Sequence, residues 1–246
     1  MTEARKPIGV LFVHGLNGGV NDFAELPTLL EQPNWLVRLV LLPGHGPDVR
    51  WREQIRYGWQ EWAASVREEL YQLQQHCSAV FLIGHSLGGA LCLHIAAHET
   101  VAGVVSMCAP LFMRPWMLPA VRLSKYVAPL LPSLREDICD PEARKRYPGD
   151  GYRWTPMKPV ESMLLYLPQL RQELPRITVP TLVIAASQDH VVPVRDGYEI
   201  YRRLGSREKH LLIVRHSYHV VMKDHDREEV FARTLAFLHR HIPGQK

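Results

Sequence analysis

The chain has 246 residues, 46% hydrophobic and 22% charged, with 29 Lys and Arg against 25 Asp and Glu for a formal charge of +4. That is enough apolar material for one large core, and it excludes a disordered, fibrous or collagen-like chain. The charges are interspersed rather than gathered on a basic face, which argues against nucleic-acid binding, and no apolar run approaches the roughly 18 residues of a membrane span.

The charged start and the short apolar run before His14 make a poor signal-peptide core. Ile8 to Val13 reads as a strand. A helix is expected from near Asn21, with Phe23, Leu26 and Leu30 inward and Pro27 shortening or bending it. Val37 to Leu42 is a second strand. Trp59, Trp62, Ala63, Val66, Leu70 and Leu73 recur at helical spacing and form one apolar stripe. Ala79 to Ile83 and Val101 to Cys108 are further strands, with a helix over Leu87 to His98 between them. Such near-continuous apolar runs suit a parallel sheet buried on both faces.

From Pro110 to Pro180 the alternation stops. This stretch holds twelve of the nineteen prolines and two of the sixteen glycines, yet it stays rich in apolar residues such as Leu111, Phe112 and Leu164. It reads as an irregular helical insertion, since a disordered linker would not carry so much apolar surface. Its basic run, Arg144-Lys145-Arg146, sits beside Glu142 and reads as solvated surface. Alternation resumes with a strand at Thr181 to Ala186, a helix at Arg195 to Leu204, a strand at His210 to Val214 and a closing helix from Asp226 to His241. Asp226 with Glu229 has capping-box spacing, and Phe231, Thr234, Leu235 and Leu238 form the closing stripe.

The chemistry is signalled by Gly84-His85-Ser86-Leu87-Gly88. This G-x-S-x-G lies between a strand and a helix, where a sharp turn lifts a serine hydroxyl above the sheet edge. A serine needs a base to take its proton. His219, in the loop after the last strand, is the first candidate among thirteen histidines, with His216 its rival. The base in turn needs an acid to fix its tautomer. Asp189 follows the strand Thr181 to Ala186 at its carboxyl end, where open α/β sheets place their sites; Asp196 and Asp224 are weaker candidates. His14-Gly15-Leu16-Asn17-Gly18-Gly19 offers a glycine-rich loop for an oxyanion hole, with the Leu16 and Leu87 amides as donors. It lacks the Lys-Ser/Thr ending of a phosphate-binding loop. His216 and His219 are spaced H-x-x-H without a third ligand, so zinc is not expected there. Cys92 reads as a core residue, and Leu42-Pro43-Gly44-His45-Gly46 as a structural turn whose position near the sheet edge leaves a minor substrate role open. Four cysteines without C-x-x-C pairing, Cys77, Cys92, Cys108 and Cys139, fit free thiols in a reducing cytoplasm.

Together these pieces resemble the α/β-hydrolase superfamily, most closely its bacterial carboxylesterases and monoacylglycerol lipases with a compact helical lid. The resemblance rests on His14-Gly15-Leu16, Pro43 to Gly46, Gly84 to Gly88, Asp189 to Pro193 and His219 to Asp224. It implies an α/β-hydrolase fold: a mainly parallel sheet of about six strands flanked by helices. Residues 1–110 and 181–246 would form the core and 111–180 a lid. Ser86, Asp189 and His219 occur in the superfamily's triad order, and Leu16 and Leu87 occupy its oxyanion positions. Many members begin with an antiparallel hairpin; only about seven residues precede the first strand here, so six parallel strands are expected.

The expected activity is that of a serine carboxylesterase acting on short- to medium-chain esters through an acyl-enzyme, with Met113, Trp116, Met117 and Met163 against the acyl chain. Monoacylglycerol hydrolysis is the first alternative, and a non-catalytic ligand-binding protein on the same fold the second. No metal or organic cofactor is implied. The expected partner is a small-molecule ester, with no nucleic acid and no stable membrane insertion; the oligomeric state stays open.

Overall fold

The computed structural model describes residues 6–132, 137–147 and 154–243, with Lys125 described by its backbone alone. The charged start of the chain, and residues 133–136 and 148–153 of the expected lid, lie outside the described residues.

Six strands form the main sheet: β1 (Ile8–Val13), β2 (Trp35–Val40), β3 (Ala79–His85), β4 (Gly103–Met107), β7 (Thr181–Ala186) and β8 (Lys209–Val214). They lie in the order β2-β1-β3-β4-β7-β8, every neighbouring pair parallel, as expected for a sheet without a leading hairpin. Every residue of β1 is buried, which is what an uninterrupted apolar run must achieve. Alternate side chains feed two cores. Leu11, Val13, Leu82, Val104 and Val183 pack with α2 (Trp59–His76), α3 (Leu87–His98) and α7 (Val194–Arg203). Val10, Phe12, Phe81, Ile83, Val105 and Ile184 face α8 (Arg227–Arg240). Each fully buried Leu or Phe contributes about 2 kcal/mol, so the sheet centre is the most stable part of the molecule.

The chain runs from β1 outward to β2 and returns to β3 on the other side of β1. Order therefore reverses around β1, and such a switch point opens a crevice at the carboxyl ends of the strands. In register, Val13 faces Gly84, and Gly84 faces Ser106. The His14 loop and the Ser86 turn thus leave the sheet side by side.

Between β4 and β7 lie α4 (Met117–Val127), α5 (Pro141–Arg146) and α6 (Met157–Glu173), with a small antiparallel pair, β5 (Leu130–Pro132) and β6 (Trp154–Pro156). That pair was not expected from sequence. Helix α4 packs on α6, and α6 continues onto α3, where Tyr166, Leu167 and Leu170 join the core.

Several features differ from expectation. The β2 strand runs Trp35–Val40 rather than Val37 to Leu42, because the chain peels off the sheet at exposed Leu41 toward the Pro43-Gly44 turn. The β4 strand is Gly103–Met107, shorter at both ends than Val101 to Cys108. The helix expected from Asn21 is instead two 3-10 turns, Val20–Phe23 and Thr28–Leu30. Ala24, at φ 48°, breaks the helical path there, while Phe23, Leu26 and Leu30 still point inward. No capping box forms at α8, because the Asp226 carboxylate instead accepts from the His216 amide and the Ser217 hydroxyl. Among the described residues no helix is long and apolar enough to cross a membrane.

Candidate active site

Ser86 joins β3 to α3 at φ 53° and ψ −120°, in the left-handed region that costs a residue with a Cβ about 1–3 kcal/mol. Two glycines make this turn possible. A Cβ on Gly84 would overlap the Gly88 carbonyl, and one on Gly88 would overlap the carbonyl of Val13 in β1. The strained serine is held by its own backbone: Ser86 N–H donates to the Met107 carbonyl at 2.8 Å, and its carbonyl accepts from Ala90.

The loop after β1 closes on this turn. A Cβ at Gly15 would stand 3.2 Å from Ser86 Cβ, so the His14-Gly15-Leu16 backbone lies directly against the serine. Leu87, fully buried, is the first residue of α3, and the first amides of a helix have no intrahelical acceptor. Of the two candidate oxyanion donors, Leu87 follows Ser86 in the chain, and Leu16 belongs to the loop packed against it.

His219 and Asp189 are brought together as the sequence suggested. The buried His219 ring donates from Nδ1 to Asp189 Oδ2 at 2.7 Å. Asp189 is itself aimed: its other oxygen accepts from the Val191 and Val192 amides at 2.7 and 2.9 Å. Burial opposes charge on both groups, yet the pair overcomes it. The Asp189 carboxyl sits below its ordinary range because of His219 and the two amides. His219 sits above its ordinary 6.5 because Asp189, then Asp137 and Asp22, favour the imidazolium. A base with this bias readily accepts a proton.

One residue links His219 to the serine turn. His85, immediately before Ser86, donates from Nε2 to the His219 carbonyl at 3.1 Å, and the two rings lie 4.8 Å apart. Behind it, Asp22 Oδ2 stands 3.6 Å from His85 Nδ1 and accepts from the Gly15 amide at 3.3 Å. Burial alone would push the Asp22 carboxyl up, but His85, with His14 and Lys223, holds it below its ordinary value. One buried carboxylate therefore touches the His14-Gly15-Leu16 loop and, through His85, the His219 loop. The sequence does not single out Asp22, which falls at the start of the helix expected from near Asn21; its 6% exposure beside a glycine-rich turn marks it out.

The rival residues serve elsewhere. The His216 ring is largely exposed and paired with Asp226. Buried Asp196 accepts from the Leu111, Phe112 and Met113 amides at 2.8–3.1 Å, and Asp224 from Cys139, Asp140 and Tyr218 at 2.7–2.9 Å. The Cys92 thiol is fully buried in the core, where burial pushes its pKa up strongly. Cys108 lies within 4.8 Å of Asp189 and His219, and burial beside Asp189 keeps it a thiol. Of the expected acyl contacts, Met113 and Met163 are buried, Met117 is half-buried and Trp116 is 60% exposed. A groove of about 270 Å³ lined by His210, Leu212, Phe237 and Arg240 shares no residue with this site.

Known proteins were compared with this chain. The family model described as serine aminopeptidase, S33, matches residues 6–226. A thermostable monoacylglycerol lipase of Bacillus sp. (strain H-257) is 30% identical over 96% of this chain and 92% of its own. A carboxylesterase of Bacillus subtilis (strain 168) is 23% identical over 94% and 92%. Among solved structures, one described with the metagenome-derived lipolytic enzymes LipS and LipT superposes with a TM-score of 0.86 at 30% identity, covering 97% of this chain and 96% of that one. A monoacylglycerol lipase of Paleococcus ferrophilus shares the fold with a TM-score of 0.82 at 22% identity, covering 97% of each chain.

Proposed function

The chain belongs to the serine aminopeptidase S33 family of the α/β-hydrolase superfamily, in the company of lipases and esterases, and from that premise we propose that it is a serine carboxylesterase working through an acyl-enzyme. The observation that carries this reading is the buried His219–Asp189 pair, tied to His85, the residue before the strained Ser86.

His219 takes the Ser86 proton as the hydroxyl oxygen attacks the ester carbonyl. The tetrahedral oxygen gains hydrogen bonds from the Leu16 and Leu87 amides, each worth roughly 3 kcal/mol in the transition state. Asp189 stabilises the imidazolium. His219 then returns the proton to the departing alcohol, and a water attacks the acyl-enzyme by the same route. The Met113, Met117 and Met163 side chains line the acyl path, with Trp116 at its outer edge. Residues 111–180 act as the lid over it, anchored to the core by Asp196 and Asp224.

Short- to medium-chain esters are the first substrate class. Monoacylglycerols are the second reading, favoured by the 30% identity to a monoacylglycerol lipase. Ser86→Ala is expected to lower turnover of a chromogenic short-chain ester at least about a thousandfold without altering circular dichroism; wild-type turnover in that variant overturns the mechanism. Comparing kcat/KM over a series of acyl lengths with monoacylglycerols of matched chains separates the two classes.

A further inference from the structure

Outside this site, three ligating side chains converge where α3 meets the end of α6. His94 and His98 stand four residues apart on α3, on one face of the helix. Glu173 closes α6 and reaches both: His94 Nδ1 lies 2.8 Å from Oε2, and His98 Nε2 lies 3.2 Å from Oε1. The three residues' ligand atoms all lie within 4.8 Å of one another. The geometry points to a site for a divalent transition-metal ion of the zinc type, held by His94, His98 and Glu173, that fastens the segment between β4 and β7 to the core.

The donor set suits that class. Two imidazoles and one carboxylate are borderline ligands that zinc accepts, and calcium or magnesium would want oxygens instead. At bond lengths near 2.0–2.1 Å, tetrahedral ligand atoms sit about 3.3 Å apart, so the separations here ask for side-chain adjustment and no backbone movement. A carboxylate only 4% exposed between two imidazoles is a place where a cation is welcome.

Rigidity and access are both present. The Trp59 ring meets His94 edge-on at 5.6 Å and stacks on Tyr166 at 4.4 Å, walling one side. Gln169 donates to Glu173 Oε1 at 2.7 Å and fixes the carboxylate plane. The His98 side chain is 34% exposed and gives an ion its way in, with room for a solvent ligand. His94 lies eight residues beyond Ser86, about 12 Å along the helix axis, so the ion would be structural and take no part in ester chemistry.

The alternative is that the two histidines merely donate to Glu173, and the test separates the cases without using activity. Tag-free full-length protein, stripped with chelator, is titrated calorimetrically with Zn²⁺, and the Co²⁺ form is examined by visible absorption. The expected result is one ion per chain, the intense visible bands of four-coordinate cobalt, and a Tm raised by on the order of 5 °C at a hundredfold excess over Kd. His98→Gln, at a partly exposed position that leaves the fold intact, is expected to weaken Zn²⁺ at least tenfold and to erase the cobalt bands. His216→Gln is expected to change neither. No saturable binding in the wild type, or equal binding in His98→Gln, overturns the proposal and leaves a hydrogen-bonded tie. Neither outcome bears on the ester-hydrolysis reading.

Discussion

The two halves of the molecule are held by different physics. Around Ser86 the backbone does the positioning: a parallel sheet buried on both faces, a turn that only glycine can flank at 84 and 88, and loops that leave neighbouring strands together. The segment between β4 and β7 is held by side chains instead. Asp196 receives the three amides of Leu111 to Met113, where it departs from the sheet, and Asp224 receives Cys139 and Asp140 farther along. The first region tolerates no change of shape. The second packs on the core through Tyr166, Leu167 and Leu170 of α6 and is otherwise secured at these few polar points.

The largest effect should come from the rigid half. Asp189→Asn leaves the Val191 and Val192 contacts possible but removes the charge that supports the imidazolium, and kcat is expected to fall on the order of 10⁴-fold. Steady-state kinetics with circular dichroism as a folding control would check this; a loss under tenfold would place the acid elsewhere. Next comes the anchored half. Asp196→Ala strands three amides beside Leu111, Phe112 and Met113, and is expected to destabilise the protein by about 3 kcal/mol in urea unfolding. Glu142→Ala, on the exposed α5, should cost less than about 0.5 kcal/mol. Equal effects from the two would dissolve the distinction between anchor and surface.

How far each region was legible beforehand follows the same division. Strands β1, β3 and β7 announce themselves as apolar runs, and the serine turn by its glycines, because those features are local. The His219–Asp189 pair was readable because each residue lies in the loop after a recognisable strand. Asp196 and Asp224 were not: each bonds amides 83 to 85 residues away, and a first-turn or loop aspartate looks the same whether or not it has such partners. The β5–β6 pair was hidden for a related reason, since three-residue strands ending in proline carry no periodicity. The 3-10 turns at Val20–Phe23 and Thr28–Leu30 kept the expected inward residues while losing the helix, so burial pattern proved more readable than backbone path.

Two smaller effects refine the picture at the seam between the regions. Asp22→Asn keeps the size of the side chain but loosens its hold on Gly15 and His85, and kcat is expected to drop about tenfold, roughly 1.4 kcal/mol, with KM unchanged. A purely structural role would lower stability without that split. Asp137, in the outer segment, adds to the negative field that raises His219 above 6.5. The base works only when neutral, so the acid limb of kcat/KM should lie above 6.5 in the wild type. Removing that charge disfavours the imidazolium, and Asp137→Asn should move the limb to lower pH. A shift to higher pH would mean the carboxylate does not act on His219.

The convergence of Ser86 and His219 is tested most directly by the rate at which a fluorophosphonate labels the serine, followed by intact mass and peptide mapping. Wild-type protein should take up one label, on Ser86, and His219→Ala, folded by circular dichroism, should label at least a hundredfold more slowly. Labelling of the His219→Ala protein at the wild-type rate, or a label on another residue, would contradict the account.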